Sequence, residues 1–199
     1  TLRCWGKIGA QHMIPPLGGG QIGLTNCVAI ATSDTHTLAL RSDGSVIQTF
    51  SGGRKPPITD AIAISAGNKF SLAIKKNGSV VAWGTWKHDD ANINCIVPKG
   101  LKAIAVDAGI VHSLAIHPDG TVIAWGKNEN GQCDVPSGLK DVVAIRAGRW
   151  ASFALKKNGE LVSWGAGAPH KVRIRNVKKF HTRLGTGCAL LNTGEIKFF

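Results

Sequence analysis

The sequence predicts an all-β chain folded as a β-propeller of about five blades, on three observations. A turn ending in glycine recurs five times between apolar strands, at Gly44, Gly78, Gly120, Gly159 and Gly194, with spacings of 34 to 42 residues. A second apolar piece precedes each turn, and a Trp-Gly pair closes the strand after three of them. Glycine is abundant, at 25 of 199 residues, which suits short strands joined by tight turns.

The first strand of each unit is read from "AIAISAGNKFS", "AIAVDAGIVHS" and "VVAIRAGRWAS", with a decayed copy in "CVAIATSDTHT" and a poorer one in "VKKFHTRLGTG". Small and branched apolar residues alternating up to a glycine predict a strand buried on at least one face. The second and third strands are the hairpins "LALRSDGSVIQTF", "LAIKKNGSVVAWG", "LAIHPDGTVIAWG", "FALKKNGELVSWG" and "ALLNTGEIKFF". Then comes a polar loop and often proline, as in "INCIVPKGL", "GQCDVPSGL", "HMIPPLGG" and "RKPPITDA". Proline cannot donate into a central ladder, so a short edge strand or a connection is expected there. Three strands plus an edge strand in roughly 40 residues match one propeller blade. One small sheet cannot bury both faces, so the blades must stack. Trp83, Trp125 and Trp164 hold equivalent positions and are expected to fill the gaps between blades.

At 199 residues, with 43% apolar and 18% charged residues, the chain reads as one folded domain over 1–199 rather than a disordered or fibrous segment. The balance of 24 Lys+Arg against 12 Asp+Glu gives +12, which favours polyanions or acidic surfaces as partners and says little about fold. Five cysteines without a C-x-x-C pair argue against a stapled secreted mini-domain and lean toward an intracellular setting. No run approaches the roughly 18 apolar residues of a membrane span. The opening "TLRCWGKIGAQHM" lacks the apolar core of a signal peptide.

Through "AGIVHSLAIHPDGTVIAWGKNENGQ" the chain resembles the regulator-of-chromosome-condensation repeat family, most of all its short-repeat bacterial branch, which includes a propeller-shaped β-lactamase inhibitor protein. The resemblance implies a β-propeller, often of seven blades, whose strand-connecting tips ring one mouth and meet partners there. Five hairpins are present, "TLRCWG" aligns with "SVVAWG", and "EIKFF" aligns with that same strand. This leaves two arrangements, a closed five-bladed ring or a segment of a larger propeller. The closed ring is favoured because an open array leaves raw sheet edges.

Signatures of chemistry are weak. "GGGQIG" at 18–23 spells G-x-G-x-x-G but is followed by a strand, whereas a nucleotide fingerprint needs a helix. Among His12, His36, His88, His112, His117, His170 and His181 no pair has metalloprotease spacing, and no Cys/His cluster has zinc spacing. His36 and His112 share one repeat position, which marks them as structural, hydrogen-bonded to a neighbouring turn. Cys95 and Cys133 repeat in "NCIVP" and "QCDVP", so packing rather than nucleophilic work is expected of them. No catalytic residue, metal site or cofactor is expected.

Function is sought where copies deviate. The tips are Asp34-Thr35, Asn68-Lys69, Ile110-Val111 and Arg149-Trp150. Arg149 and Trp150 are the first partner-binding candidates, because Trp and Arg dominate protein interfaces. Asn68 and Lys69 follow, with Trp86, Lys87 and His88 of the loop "GTWKHDDAN". The run "HKVRIRNVKKFHTR" supplies anion-binding candidates: Lys171, Arg173, Arg175, Lys178, Lys179 and Arg183. If extended, it places Lys171, Arg173 and Arg175 on one face. The expected function is a non-enzymatic module docking another macromolecule, in the first instance a protein. The alternatives are a nucleic-acid or polyanion binder, a structural subunit of a nucleoprotein assembly, and an enzyme inhibitor or exchange-factor-like protein.

Overall fold

The computed structural model describes residues 25–49, 55–84, 95–166, 173–183 and 186–199. Their regular structure is five antiparallel sheets. Blade 1 is β1 (Cys27–Thr32), β2 (Thr37–Arg41) and β3 (Val46–Thr49), and blade 2 is β4 (Ala61–Ala66), β5 (Phe70–Lys75) and β6 (Val80–Gly84). Blade 3 is β7 (Ala105–Ala108), β8 (His112–Ile116) and β9 (Val122–Gly126). Blade 4 is β10 (Val142–Ala147), β11 (Ala151–Lys156), β12 (Leu161–Gly165) and β13 (Arg173–Ile174), and blade 5 is β14 (Val177–Arg183), β15 (Thr186–Leu191) and β16 (Ile196–Phe198). Strands pair in chain order within each blade, and the first strands of blades 1 to 4 contact one another in succession, so they line the inside of the array. The expected edge strand is realised in blade 4, where β13 pairs with β12.

The repeated hairpin turn explains its glycine. At Gly120 φ is +82°, and a Cβ there would lie 3.3 Å from the Asp141 backbone of the next blade. The Gly120 carbonyl accepts from the Val142 N–H at 3.0 Å, so the turn also anchors the strand that follows. Asp119 completes the turn by accepting from the Thr121 N–H at 2.9 Å.

The core lies between blades, not within them. Leu114, Ile116 and Val122 of blade 3 pack against Val142, Ile145, Ala154 and Trp164 of blade 4. Leu72, Ile74 and Val80 of blade 2 meet Ala103, Ala115 and Trp125 of blade 3 in the same pattern. Each blade thus presents a Leu/Ile/Val leading face to the next blade and an Ala/Trp trailing face to the one before. Trp83, Trp125 and Trp164 are all buried in these junctions, as their repetition implied. In blade 5 the C-terminal Phe199 takes the tryptophan place, 5.6 Å between ring centroids from Phe153. Burying each such side chain is worth roughly 1.5–3 kcal/mol, so the junctions hold most of the stability.

The two ends of the array differ from its interior. Ile196 on the leading face of blade 5 is 57% exposed, against 0–9% for its equivalents Val46, Val80, Val122 and Leu161. On the trailing face of blade 1, Ile30 is 52% exposed, against 2% for Ile145. Among the described residues no sheet covers either face. The "GGGQIG" stretch, His12, His88 and His170 lie outside the described residues.

Candidate functional site

The tips that follow the first strands form a linked row. The Gly67 N–H donates to the Phe70 carbonyl, Gly109 to His112 and Gly148 to Ala151, at 2.8–2.9 Å, closing each tip over two residues. Neighbouring tips then bond to one another: the Asn68 N–H donates to the Gly109 carbonyl at 3.0 Å, and the Ile110 N–H to the Gly148 carbonyl at 3.3 Å. The Lys69 N–H reaches back to the Thr35 hydroxyl at 3.2 Å, and Lys69 itself has φ +65°. This close approach requires glycine, because a Cβ on Gly67 or Gly109 would sit 2.6 Å from the next tip's carbonyl oxygen.

Arg149 and Trp150 occupy the last of these tips. The Arg149 guanidinium lies 5.0 Å from the centre of the Trp150 ring, within cation–π range. Arg149 is exposed and Trp150 half-buried. Behind this tip lies the loop between blades 3 and 4. Gln132 in that loop is fully buried, and its carbonyl accepts both from Trp164 Nε1 at 2.9 Å and from the Ser152 hydroxyl at 2.7 Å. Gly165 fits there because a Cβ would lie 2.5 Å from the Trp150 carbonyl and 3.0 Å from Gln132 Cα.

The tips are not equivalent. Asn68 is half-buried and Lys69 exposed, while Ile110 is half-buried and Val111 buried. Trp86, Lys87 and His88 lie outside the described residues, as does Lys171. The basic run is divided between two blades. Arg173 belongs to β13, the outermost strand of blade 4, and Arg175 follows it. Asn176, with φ +61°, then turns the chain into β14, the first strand of blade 5, where Lys178 and Lys179 are exposed between buried Val177 and Phe180. Arg183 ends that strand opposite Thr186. The blade boundary thus separates Arg173 and Arg175 from Lys178, Lys179 and Arg183.

Beneath the tips the repeated histidines join blades. His36 Nε2 lies 2.7 Å from the Ser71 hydroxyl and His112 Nε2 lies 2.8 Å from the Ser152 hydroxyl. These partners are on the second strand of the adjoining blade, not on a turn as the sequence suggested. Burial lowers the pKa of His36 and takes that of His112 down to about 4. Another interblade bond, absent from the sequence reading, uses Asp107, whose Oδ2 accepts from the Ala147 N–H at 2.6 Å with Arg146 3.9 Å away. Burial outweighs both partners and raises this carboxyl to about 6. Ser65 makes the corresponding bond from the Ala108 N–H. Burial also raises the Cys95 thiol, and burial followed by the Asp134 charge lifts Cys133 to about 11, neither suited to a nucleophile. No cluster of three metal-ligating side chains occurs among the described residues.

Residues 61–85 and 103–132 match the regulator of chromosome condensation (RCC1) repeat. The fold matches the receptor kinase CR4 ectodomain of Physcomitrella patens, with a TM-score of 0.71, 23% identity and coverage of 86% of this chain and 49% of that one. It also matches Saccharomyces cerevisiae Prp20p, with a TM-score of 0.68, 20% identity and coverage of 85% and 56%. The ACR4 ectodomain of Arabidopsis thaliana gives a TM-score of 0.70, 22% identity and coverage of 87% and 63%. No curated protein matches the chain. Two segments of the chain thus match the repeat, and its fold is that of RCC1-type β-propellers. The chain spans 49% to 63% of the length of these three structures.

Proposed function

We propose that the protein is a non-catalytic binding module that docks another protein on its tip face, with Arg149 and Trp150 as anchors. The observation that carries this reading is the Arg149 guanidinium held 5.0 Å from the centre of the half-buried Trp150 ring on one tip. A side chain already held in place loses little entropy when a partner covers it. Lys69 and Asn68, two tips away along the same row, extend the contact. Protein binding also suits the likeness to Prp20p, whose structure is described with binding to Gsp1p and histones, and which has been seen bound to Kap60.

Polyanion binding through residues 171–183 gains no comparable support, since Arg173 and Lys178 belong to different blades. The test is affinity capture on the purified chain, with and without nuclease, followed by titration of the captured protein. Trp150→Ala is expected to weaken that binding by about 2 kcal/mol. Unchanged affinity, or capture that disappears with nuclease, overturns the reading.

A further inference from the structure

Four of the five first strands carry one residue more than their partners can pair. In β4 the register passes from Ala61 opposite Lys75 to Ala63 opposite Ile74, leaving Ile62 unpaired. Val28, Val143 and Lys178 hold that place in β1, β10 and β14. In blade 3, Ala105 pairs with Ile116 while Ile104 just before it donates its N–H to the same Ile116 carbonyl at 2.8 Å.

The extra residue changes where side chains go. Ala61 and Ile64 pack toward the preceding blade, and Ala63 packs toward the following one. Ile62 falls between them and joins neither junction, since a bulge turns a side chain out of the pleat. Val28, Ile62, Ile104 and Val143 are consequently 53–64% exposed. One exposed isoleucine needs no explanation. A branched apolar side chain at the same position in four successive strands that contact one another forms a patch, and such patches mark interaction sites.

This collar lies at the opposite end of the first strands from the Arg149 tip, beside the glycine turns. The Ala61 N–H donates to the Gly44 carbonyl and the Val142 N–H to the Gly120 carbonyl, each at 3.0 Å. Exposed lysines border it. Lys76 and Lys157 sit in the turns, with their N–H groups on the Asp60 and Asp141 carbonyls at 2.8 Å. Lys102 precedes Ala103, and Lys178 continues the collar in blade 5. Of the acids nearby, Asp60 pairs with Lys75, Asp119 with His117, and Asp43 accepts from the Ser45 N–H, so exposed Asp141, beside Val142, faces an excess of lysines.

We infer that the collar is a second docking surface, and that its occupant is an acidic amphipathic peptide. Apolar side chains of that peptide would lie on Ile62, Ile104 and Val143, with carboxylates beside Lys76, Lys157 and Lys178. The probe is a short fluorescein-labelled peptide alternating leucine with glutamate, read by anisotropy beside a leucine–lysine peptide of equal length. The wild-type chain binds the first and not the second. The triple variant I62K/I104K/V143K weakens binding at least ~tenfold, or about 1.4 kcal/mol. Blade 5 already carries lysine at this position, so the triple variant keeps its melting temperature; if it unfolds, Ile104→Lys alone gives the same readout. Absence of wild-type binding, equal binding of both peptides, or an unaffected lysine variant overturns the inference. Loss of the peptide in R149A/W150A places it at the tips and also overturns it, without touching the tip-face reading.

Discussion

His112 of blade 3 and Ser152 of blade 4 share a hydrogen bond of 2.8 Å whose direction follows from the serine's other partner. The Ser152 hydroxyl donates its one proton to the Gln132 carbonyl at 2.7 Å, so His112 Nε2 carries the proton of the bond between them. The imidazole is thereby fixed as its neutral Nε2–H tautomer. One chain of bonds ties blade 3, the Gln132 loop and blade 4 together beneath Trp150.

Replacing Ser152 by alanine strands a buried donor on His112 and removes one of the two donors to the Gln132 carbonyl. Chemical denaturation is expected to give a loss of about 1–3 kcal/mol. Asn128, which holds the same loop from its exposed side, is expected to cost less when replaced by alanine.

Gly109→Ala tests the linkage of the tips. The new methyl would meet the Gly148 carbonyl oxygen at 2.6 Å, and overpacking of this kind costs roughly 1–3 kcal/mol. Gly100→Ala has nothing within 4 Å and bears only the strain of its φ of +76°. Denaturation midpoints of the two variants should rank Gly109→Ala as the more damaging.

Asp107 and His112 give opposed pH dependences. The folded chain holds the Asp107 proton up to about pH 6 against an ordinary 3.8, so stability from this group falls as pH rises through that window. His112 resists protonation down to about 4 against 6.5, so its contribution falls as pH drops through the overlapping range. Each effect is on the order of 3 kcal/mol at its limit. Asp107→Asn should therefore make stability decline more steeply as pH is lowered from about 6.5 to 4, measured by urea unfolding across that range. A variant whose slope equals the wild type's would refute the opposition.

The open leading face of blade 5 predicts an asymmetry between equivalent residues. Ile196→Asp should change stability by no more than about 0.5 kcal/mol, as surface substitutions do. Val122→Asp places a charge in the junction with Trp164 and should abolish cooperative unfolding. Thermal melts of the two variants decide the matter.

Much of the fold was legible because repetition separates structural residues from the rest. Trp83, Trp125 and Trp164 declared themselves as core by recurring, and Gly120 as a turn by its place between Asp119 and Thr121. The exposure of Ile196 could not be read from the pattern, since it looks like Val80 in sequence. The division of the basic run between two blades was not legible, because Arg173 and Lys178 are near in sequence while Asn176 turns the chain between them. Gln132 and Asp107 were passed over because each acts through a bond to another blade, which no local spacing reveals. The collar had a visible signal in the apolar residue after Ala61, Ala103 and Val142, but period-two alternation hides an inserted residue.

Because blades 2 and 3 turn nearly the same side chains forward, Leu72, Ile74 and Val80 against Leu114, Ile116 and Val122, either could stand where the other does. The molecule is assembled like a modular part series, in which one unit can be copied or excised without redesigning the surfaces it meets. Lengthening such a chain by internal duplication would create a new mating surface from residues already proven compatible. Individuality is left to the loops and tips, which can diverge while the interchangeable sheets stay as they are.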